Sequence, residues 1–262
     1  MPPLTFSPAP SPGTRRRIRL EIGIVLALSL GAAAVYSVIA IVNRLTQDVP
    51  ISQQTATLNP SLSDRPVFDL IYQLLDIAFA LVPVLLVLYL LWQPGRSPFR
   101  RLGFDASRPG RDLGAGLLLT LAIGLPGLGL YFAGRALGIT PTIVTSGLTD
   151  QWWTIPVLIL SALRSALTEE LIVVGFLFTR LHELGHGRWP VIIGAAILRG
   201  SYHLYQGFGS FVGNVAMGIV FGWVYEKWGR TTPLVIAHWI LDIASFVGYA
   251  LVVAWFPGLV GT

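Results

Sequence analysis

Several apolar runs in this chain exceed about 18 residues, long enough for a helix to cross the ~30 Å hydrocarbon core of a bilayer. Seven candidate spans can be drawn, at about residues 18–43, 67–92, 112–137, 153–181, 189–206, 208–228 and 231–256. Hydrophobic residues make up 53% of the chain and charged residues only 12%, against about 25% charge in a soluble domain. A water-soluble fold of this composition would lack the polar surface to cover its core. The expected class is therefore all-α: a polytopic integral membrane protein with about seven transmembrane helices, its partner the lipid bilayer.

Basic residues set the expected orientation. Arg15, Arg16, Arg17 and Arg19 precede the first span, and Arg96, Arg100, Arg101, Arg108 and Arg111 follow the second. Arg180 and Arg188 lie between the fourth and fifth, and Lys227 and Arg230 between the sixth and seventh. The alternate loops carry few, among them Arg65 and Arg135. The positive-inside rule then places the protein as a multi-pass component of the cell membrane, N-terminus cytoplasmic and C-terminus extracytoplasmic. The net charge of +5 sits at the ends of apolar runs, which argues against a nucleic-acid partner. There is no cysteine, so disulfides, thiol catalysis and Cys-ligated zinc are excluded. The chain divides into a proline- and serine-rich basic N-terminus expected to be disordered (1–17), N-terminal spans with a cytoplasmic linker (18–111), and a second half (112–256) that holds the chemistry.

That chemistry shows as ionisable residues where each costs several kcal/mol. Asp69 and Asp76 in the second span have no evident partner. Glu169 and Glu170 lie in mid-span in "SALTEELIVVGFLF", with Arg164 five residues before them. Arg199 and His203 fall in "AAILRGSYHLYQG", His238 and Asp242 in "VIAHWILDIASF". Each of these last two pairs is spaced four apart, which puts both members on one helix face. Adjacent glutamates point about 100° apart, so one can face a cavity while the other makes a structural bond. Three helices thus offer acidic or imidazole groups to one polar interior. Two hydrolytic chemistries are open to it. A carboxylate beside an imidazole can deprotonate water while a second imidazole holds an oxyanion. Alternatively Glu169, His203 and His238 can ligate a divalent metal such as zinc that activates water. A purely structural polar network is the third reading.

The three stretches "EELIVV", "RGSYH" and "HWILD" resemble the motifs of the CPBP family of intramembrane proteases, which includes CAAX prenyl endopeptidases and bacterial homologues linked to bacteriocin self-immunity. The family pattern is Glu-Glu-x-x-x-Arg, Phe-x-x-x-His and His-x-x-x-Asn/Asp, and the resemblance covers roughly 150–250 within a protease core at 112–256. It implies an intramembrane endopeptidase that cleaves a peptide or membrane-protein substrate. Glu169 would be the base that activates water and His203 would hold that water. His238 and Asp242 would supply and orient the oxyanion donor, with Glu170 as supporting carboxylate. The family has been described both as metal-dependent and as metal-free. Two positions depart from the pattern: Val174 replaces the motif arginine, and Arg199 replaces phenylalanine. Arg199 is expected to supply the missing cation from the neighbouring helix, with Arg164 as the weaker candidate. The other reading of Val174 is a catalytically inactive member that binds or scaffolds in the membrane.

"RLHELGHGRWP" also contains a His-Glu-x-x-His string, of the kind that binds zinc when both histidines share a helix face. Gly185, Gly187 and Pro190 mark a helix end instead, so His182 and His186 are read as interfacial. Asn214, Tyr202 and Tyr205 are read as packing or helix–helix contacts, and Trp152, Trp153, Trp189, Trp223 and Trp228 as interfacial anchors.

Overall fold

The computed structural model describes residues 11–248. The first part of the N-terminal stretch, the last part of the seventh span (249–256) and the C-terminus whose orientation was inferred lie outside the described residues. Helices follow one another along the chain: α1 (Pro12–Ala27), α2 (Leu30–Leu45), α3 (Pro66–Ala80), α4 (Val82–Leu91), α5 (Pro98–Leu102) and α6 (Pro109–Ala136). Then α7 (Thr154–Glu169) passes through a π-helical stretch, Glu170–Phe176, into α8 (Leu177–Glu183). After α9 (Arg188–Tyr202) and α10 (Phe208–Trp228), α11 (Thr232–Ile243) continues into a second π stretch, Ala244–Gly248. Two short strands, β1 (Thr55–Thr57) and β2 (Thr142–Val144), pair in parallel, joining the loop after α2 to the loop after α6.

Each of the seven apolar segments falls on one or more of these helices, but length and apolarity alone qualify fewer of them as spans. Pro66–Leu91, Pro109–Ala136 and Phe208–Trp228 are long and apolar enough to cross a membrane, and the α1–α2 pair makes a fourth if counted as one span. That pair is bent by 52° rather than straight. The break falls at Leu28 and Ser29, where the Ser29 hydroxyl donates back to the Val25 carbonyl at 2.6 Å, as at other serine kinks. The remaining segments fall short for a physical reason. The stretch 154–183 carries Arg164, Glu169, Glu170 and Arg180, and α9 has only 15 residues. The helices that build the polar interior give up apolar length to hold ionisable side chains. At the other end of the chain, α1 begins at Pro12 with Ser11 as its cap, so residues 12–17, expected to be disordered, are helical.

The outer helices expose apolar side chains. On α6, Leu118 and Leu125 are 70% and 69% exposed, a cost in water that vanishes in hydrocarbon. The inner group is α7, α9, α10 and α11: α9 packs on α10 and α2, and α11 on α6 and α7. Both acids without an evident partner in the sequence have one here. Asp69 takes hydrogen bonds from Leu62 N (2.8 Å), the Ser61 hydroxyl (3.0 Å) and Gln73 (3.2 Å). Asp76 lies 3.8 Å from Arg164.

One polar buckle ties the linker to the α10–α11 turn. Arg230 donates to Asp112 at 2.9 and 2.6 Å, to the Ser107 hydroxyl at 3.1 Å and to the Asp105 carbonyl at 2.9 Å. The Thr231 hydroxyl donates to Leu102 O at 3.0 Å. Gly103 lets the two segments touch: its φ is +61°, and a Cβ there would meet Gly229 O at 2.2 Å. Hydrogen bonds from Ser107, then the charge of Arg230, hold the Asp105 carboxyl down at about 2 from an ordinary 3.8. Asp112→Ala leaves Arg230 half-paired, and we expect a loss of about 3 kcal/mol in thermal unfolding of the detergent-solubilised protein. Because the folded value of Asp105 is lowered, its contribution is complete above the ordinary value and is lost as pH falls through about 2. That acid-side loss should be absent from Asp105→Asn.

Candidate active site

Glu169 closes α7 and Glu170 opens the π stretch, and both are buried, Glu170 completely. A π turn widens the helix locally and is common at functional sites. It also decides what Val174 does. Val174 is buried at 2% exposure among Val173, Leu177 and Phe178, in an apolar layer with no cation.

The cation arrives from α9. Arg199 is the largest fully buried side chain among the described residues. Its Nη2 donates to Glu169 Oε2 at 3.1 Å and, in a short contact, to Glu170 Oε1; Nη1 lies 3.4 Å from Glu170 Oε2. Behind it the guanidinium stands over the Phe221 ring at 5.4 Å, a cation–π contact. Space for the side chain depends on Gly218 of α10, where a Cβ would meet Ala196 Cα at 2.8 Å and Arg199 Cδ at 3.4 Å. Arg164, the weaker candidate, is turned to Asp76 and to the Ser161 hydroxyl instead.

The last turn of α9 brings two more groups. The Tyr202 hydroxyl donates to Glu169 Oε2 at 2.8 Å, which corrects its reading as a packing residue. The spacing Arg199, Tyr202, His203, with steps of three and four, puts all three on one face, and that pattern could have revealed it. His203 caps the helix at φ −100°, ψ 0°, in the sparsely populated bridge region. Its Nε2 stands 3.7 Å from Glu169 Oε2, buried and without a hydrogen bond among the described residues. Its Nδ1 is 3.2 Å from Gln206 Nε2, which also donates to the Tyr205 hydroxyl. Among the described residues both hydrogen bonds to Glu169 fall on Oε2, and Oε1 accepts none.

From α11, His238 Nδ1 lies 2.7 Å from Glu170 Oε1 and 3.1 Å from Arg199 Nη2. A guanidinium cannot accept, so the shorter contact is read as Nδ1–H donating to the carboxylate. Nε2 faces Asp242 Oδ2 at 3.5 Å. Exposure shows where the cluster opens. Arg199 and Glu170 side chains are at 1% and 0%, whereas His203 and Asp242 are at 18% and 21%. Asn214 is not part of it; its side chain bonds back to Ser210 O at 3.0 Å on its own helix.

Glu169, His203 and His238 do not fit as a metal set. Among the described residues no group of three or more His, Cys, Asp or Glu side chains could hold a metal ion. Arg199 already contacts both carboxylates and His238 Nδ1, so a dication there would face a buried guanidinium. The His-Glu-x-x-His string does not form a site either. His182 Nε2 contacts Glu226 at 2.5 Å, Glu183 pairs with Arg180 at 2.7 Å, and His186 lies past the end of α8 beside Gly185 at φ +91°.

A protein-family model described as type II CAAX prenyl endopeptidase Rce1-like matches residues 151–244. The segment contains Glu169, Glu170, Arg199, Tyr202, His203, His238 and Asp242, so the resemblance read from the three motifs is shown over the region in which they lie. Comparisons with curated proteins and with solved structures find no match.

Arg199→Met would leave two adjacent buried carboxylates with the His238 ring, on Glu170 at 2.7 Å, as their remaining positive partner. We expect a loss of about 4 kcal/mol in thermal unfolding in detergent. Adding Glu170→Gln to that variant removes one of the two charges and should recover part of the loss.

Proposed function

We propose that this chain, with the CAAX-endopeptidase pattern over 151–244, is an intramembrane endopeptidase that hydrolyses a peptide bond in a membrane-associated protein or peptide. The observation that carries this reading is the state of Glu169. Among the described residues one of its oxygens is taken up by Arg199 and Tyr202 and the other accepts no hydrogen bond, with an imidazole nitrogen that makes none 3.7 Å from the carboxylate. A carboxylate so arranged is held in position and keeps one basic oxygen.

A water lodged between Glu169 and His203 gives its proton to Glu169 Oε1, and its oxygen bonds to the scissile carbonyl carbon. His203 Nε2 holds the water in line. The carbonyl oxygen becomes an oxyanion and takes a hydrogen bond from the second ring N–H of His238, whose first N–H is committed to Glu170. Asp242 keeps the ring aligned at 3.5 Å. The C–N bond then breaks and the proton on Glu169 passes to the departing amine. Such proton transfer contributes about 10²–10⁴-fold and oxyanion donors about 10²–10³-fold each. Arg199 fixes the two carboxylates without touching substrate. The seven helical segments cross the bilayer with the N-terminus in the cytoplasm, supported by the basic clusters at 15–19, 96–111, 180–188 and 227–230. Substrate reaches the cluster from the His203–Asp242 side, where it is exposed.

Val174 favours a second reading, in which the polar cluster survives as the binding core of an inactive scaffold protein. Cleavage of a peptide library by the purified protein in lipid separates the two. We expect cleavage that falls at least a hundredfold in Glu169→Gln and in His203→Ala. It should be unchanged in His182→Ala and in the presence of a chelator. Absence of cleavage by the wild-type protein would favour the scaffold. In Tyr202→Phe the fold should persist and cleavage should fall about tenfold, as one hydrogen bond to a charged group is worth about 1.5–3 kcal/mol.

A further inference from the structure

The two-stranded sheet is tied at both ends of β2 to elements that carry the cluster. One end of β2 is tied to α7: Asn59 donates to Thr145 O at 2.9 Å and accepts from the Ser161 hydroxyl at 3.0 Å. Ser161 precedes Glu169 by eight residues, about 12 Å along a helix. The other end is tied to the turn after His203. Phe208 N donates to Ile139 O at 3.1 Å, and Gly207 sits so close that a Cβ there would meet Pro141 at 2.7 Å. β2 therefore bridges the two elements that carry Glu169 and His203.

The register decides which of its peptide groups are spent. Thr55 pairs with Thr142, Ala56 with Ile143 and Thr57 with Val144. Thr142 N donates to Gln54 O and Leu58 N to Val144 O, each at 2.9 Å. In a parallel ladder Thr142 and Val144 then face β1, and the N–H and C=O of Ile143 face away from it. No hydrogen bond to either group of Ile143 occurs among the described residues. The opposite edge is treated differently: Thr55 O on the outer side of β1 is covered by Arg44 Nη2 at 2.9 Å. One edge of the sheet is guarded by an arginine, and the edge of the strand that bridges the site is open.

We propose that the open edge of β2 at Ile143 binds the substrate backbone as a third strand and delivers it, extended, to Glu169. The inference rests on the endopeptidase reading. Ile143 offers one donor and one acceptor, the pair that a single residue of an added strand exchanges. Ser161, which anchors this end of β2 through Asn59, lies about 12 Å along the helix from Glu169, the length of three or four extended residues at about 3.3 Å each. The docked residue therefore lies three or four positions from the scissile bond.

The test uses the full-length protein in lipid and a cleaved peptide from the library. Ile143→Pro removes the outward N–H and blocks the edge while leaving the Thr142 and Val144 ladder intact, as proline is tolerated on edges. KM should rise about tenfold with kcat little changed, while Thr57→Pro on the opposite edge should leave KM as in wild type. Independently of any fold effect, N-methylating the wild-type enzyme's substrate three or four residues from the cleaved bond should raise KM tenfold. The same methylation should cost Ile143→Pro nothing further. Cleavage by Ile143→Pro with the wild-type KM, or a flat N-methyl scan, would overturn the proposal. So would a change of oligomeric state at unchanged KM, which would assign the edge to a second copy of the chain. Wild-type protein that cleaves nothing would instead refute the endopeptidase reading itself.

Discussion

Two adjacent carboxylates buried in a membrane protein are untenable without a cation, and here one guanidinium serves both. Bringing a guanidinium out of water costs several kcal/mol even after relaxation. It is stable at Arg199 only because Glu169, Glu170 and the Phe221 ring surround it. Neither partner could remain charged there alone. The placement of α9 against the junction of α7 and the π stretch is thereby held by charge. The close approach of α10, made possible by Gly218, seals the pair from lipid. In a medium where helices gain little from hydrophobic burial, this charge cluster and the Arg230 buckle at the α10–α11 turn give the inner helices a defined arrangement.

The π stretch from Glu170 to Phe176 belongs to the same solution. Val174 leaves an apolar wall in the place where the resembling family carries arginine, and the cation is supplied across the helix interface instead. What the site requires is positive charge at a point in space, and the side chain that delivers it need not come from the glutamates' own helix.

Much of the site was legible in the sequence, because ionisable residues in apolar runs are conspicuous and the four-residue spacings of Arg199 with His203 and of His238 with Asp242 fix shared faces. Tyr202 was read as a packing residue because a tyrosine beside a histidine is ordinary in a packed helix; only the approach of α9 to Glu169 shows its hydroxyl to be committed. The zinc alternative could not be separated from acid–base chemistry by residue types alone, since both use one glutamate and two histidines. The position of Arg199, in contact with both carboxylates and with His238, favours acid–base chemistry. In the fold, helical segments were readable from apolarity, but the 52° break in the first and the short strands were not. The former rests on a local serine back-bond, the latter on pairing between loops about 85 residues apart in sequence, which periodicity does not record.

The cation, the phenol and one imidazole all ride on the final turn of α9. A small tilt or slide of that helix would therefore shift charge balance and hydrogen bonding at Glu169 together. The site is mechanically a single moving part: it is assembled whole or disabled whole, and whatever grips α9 governs its output.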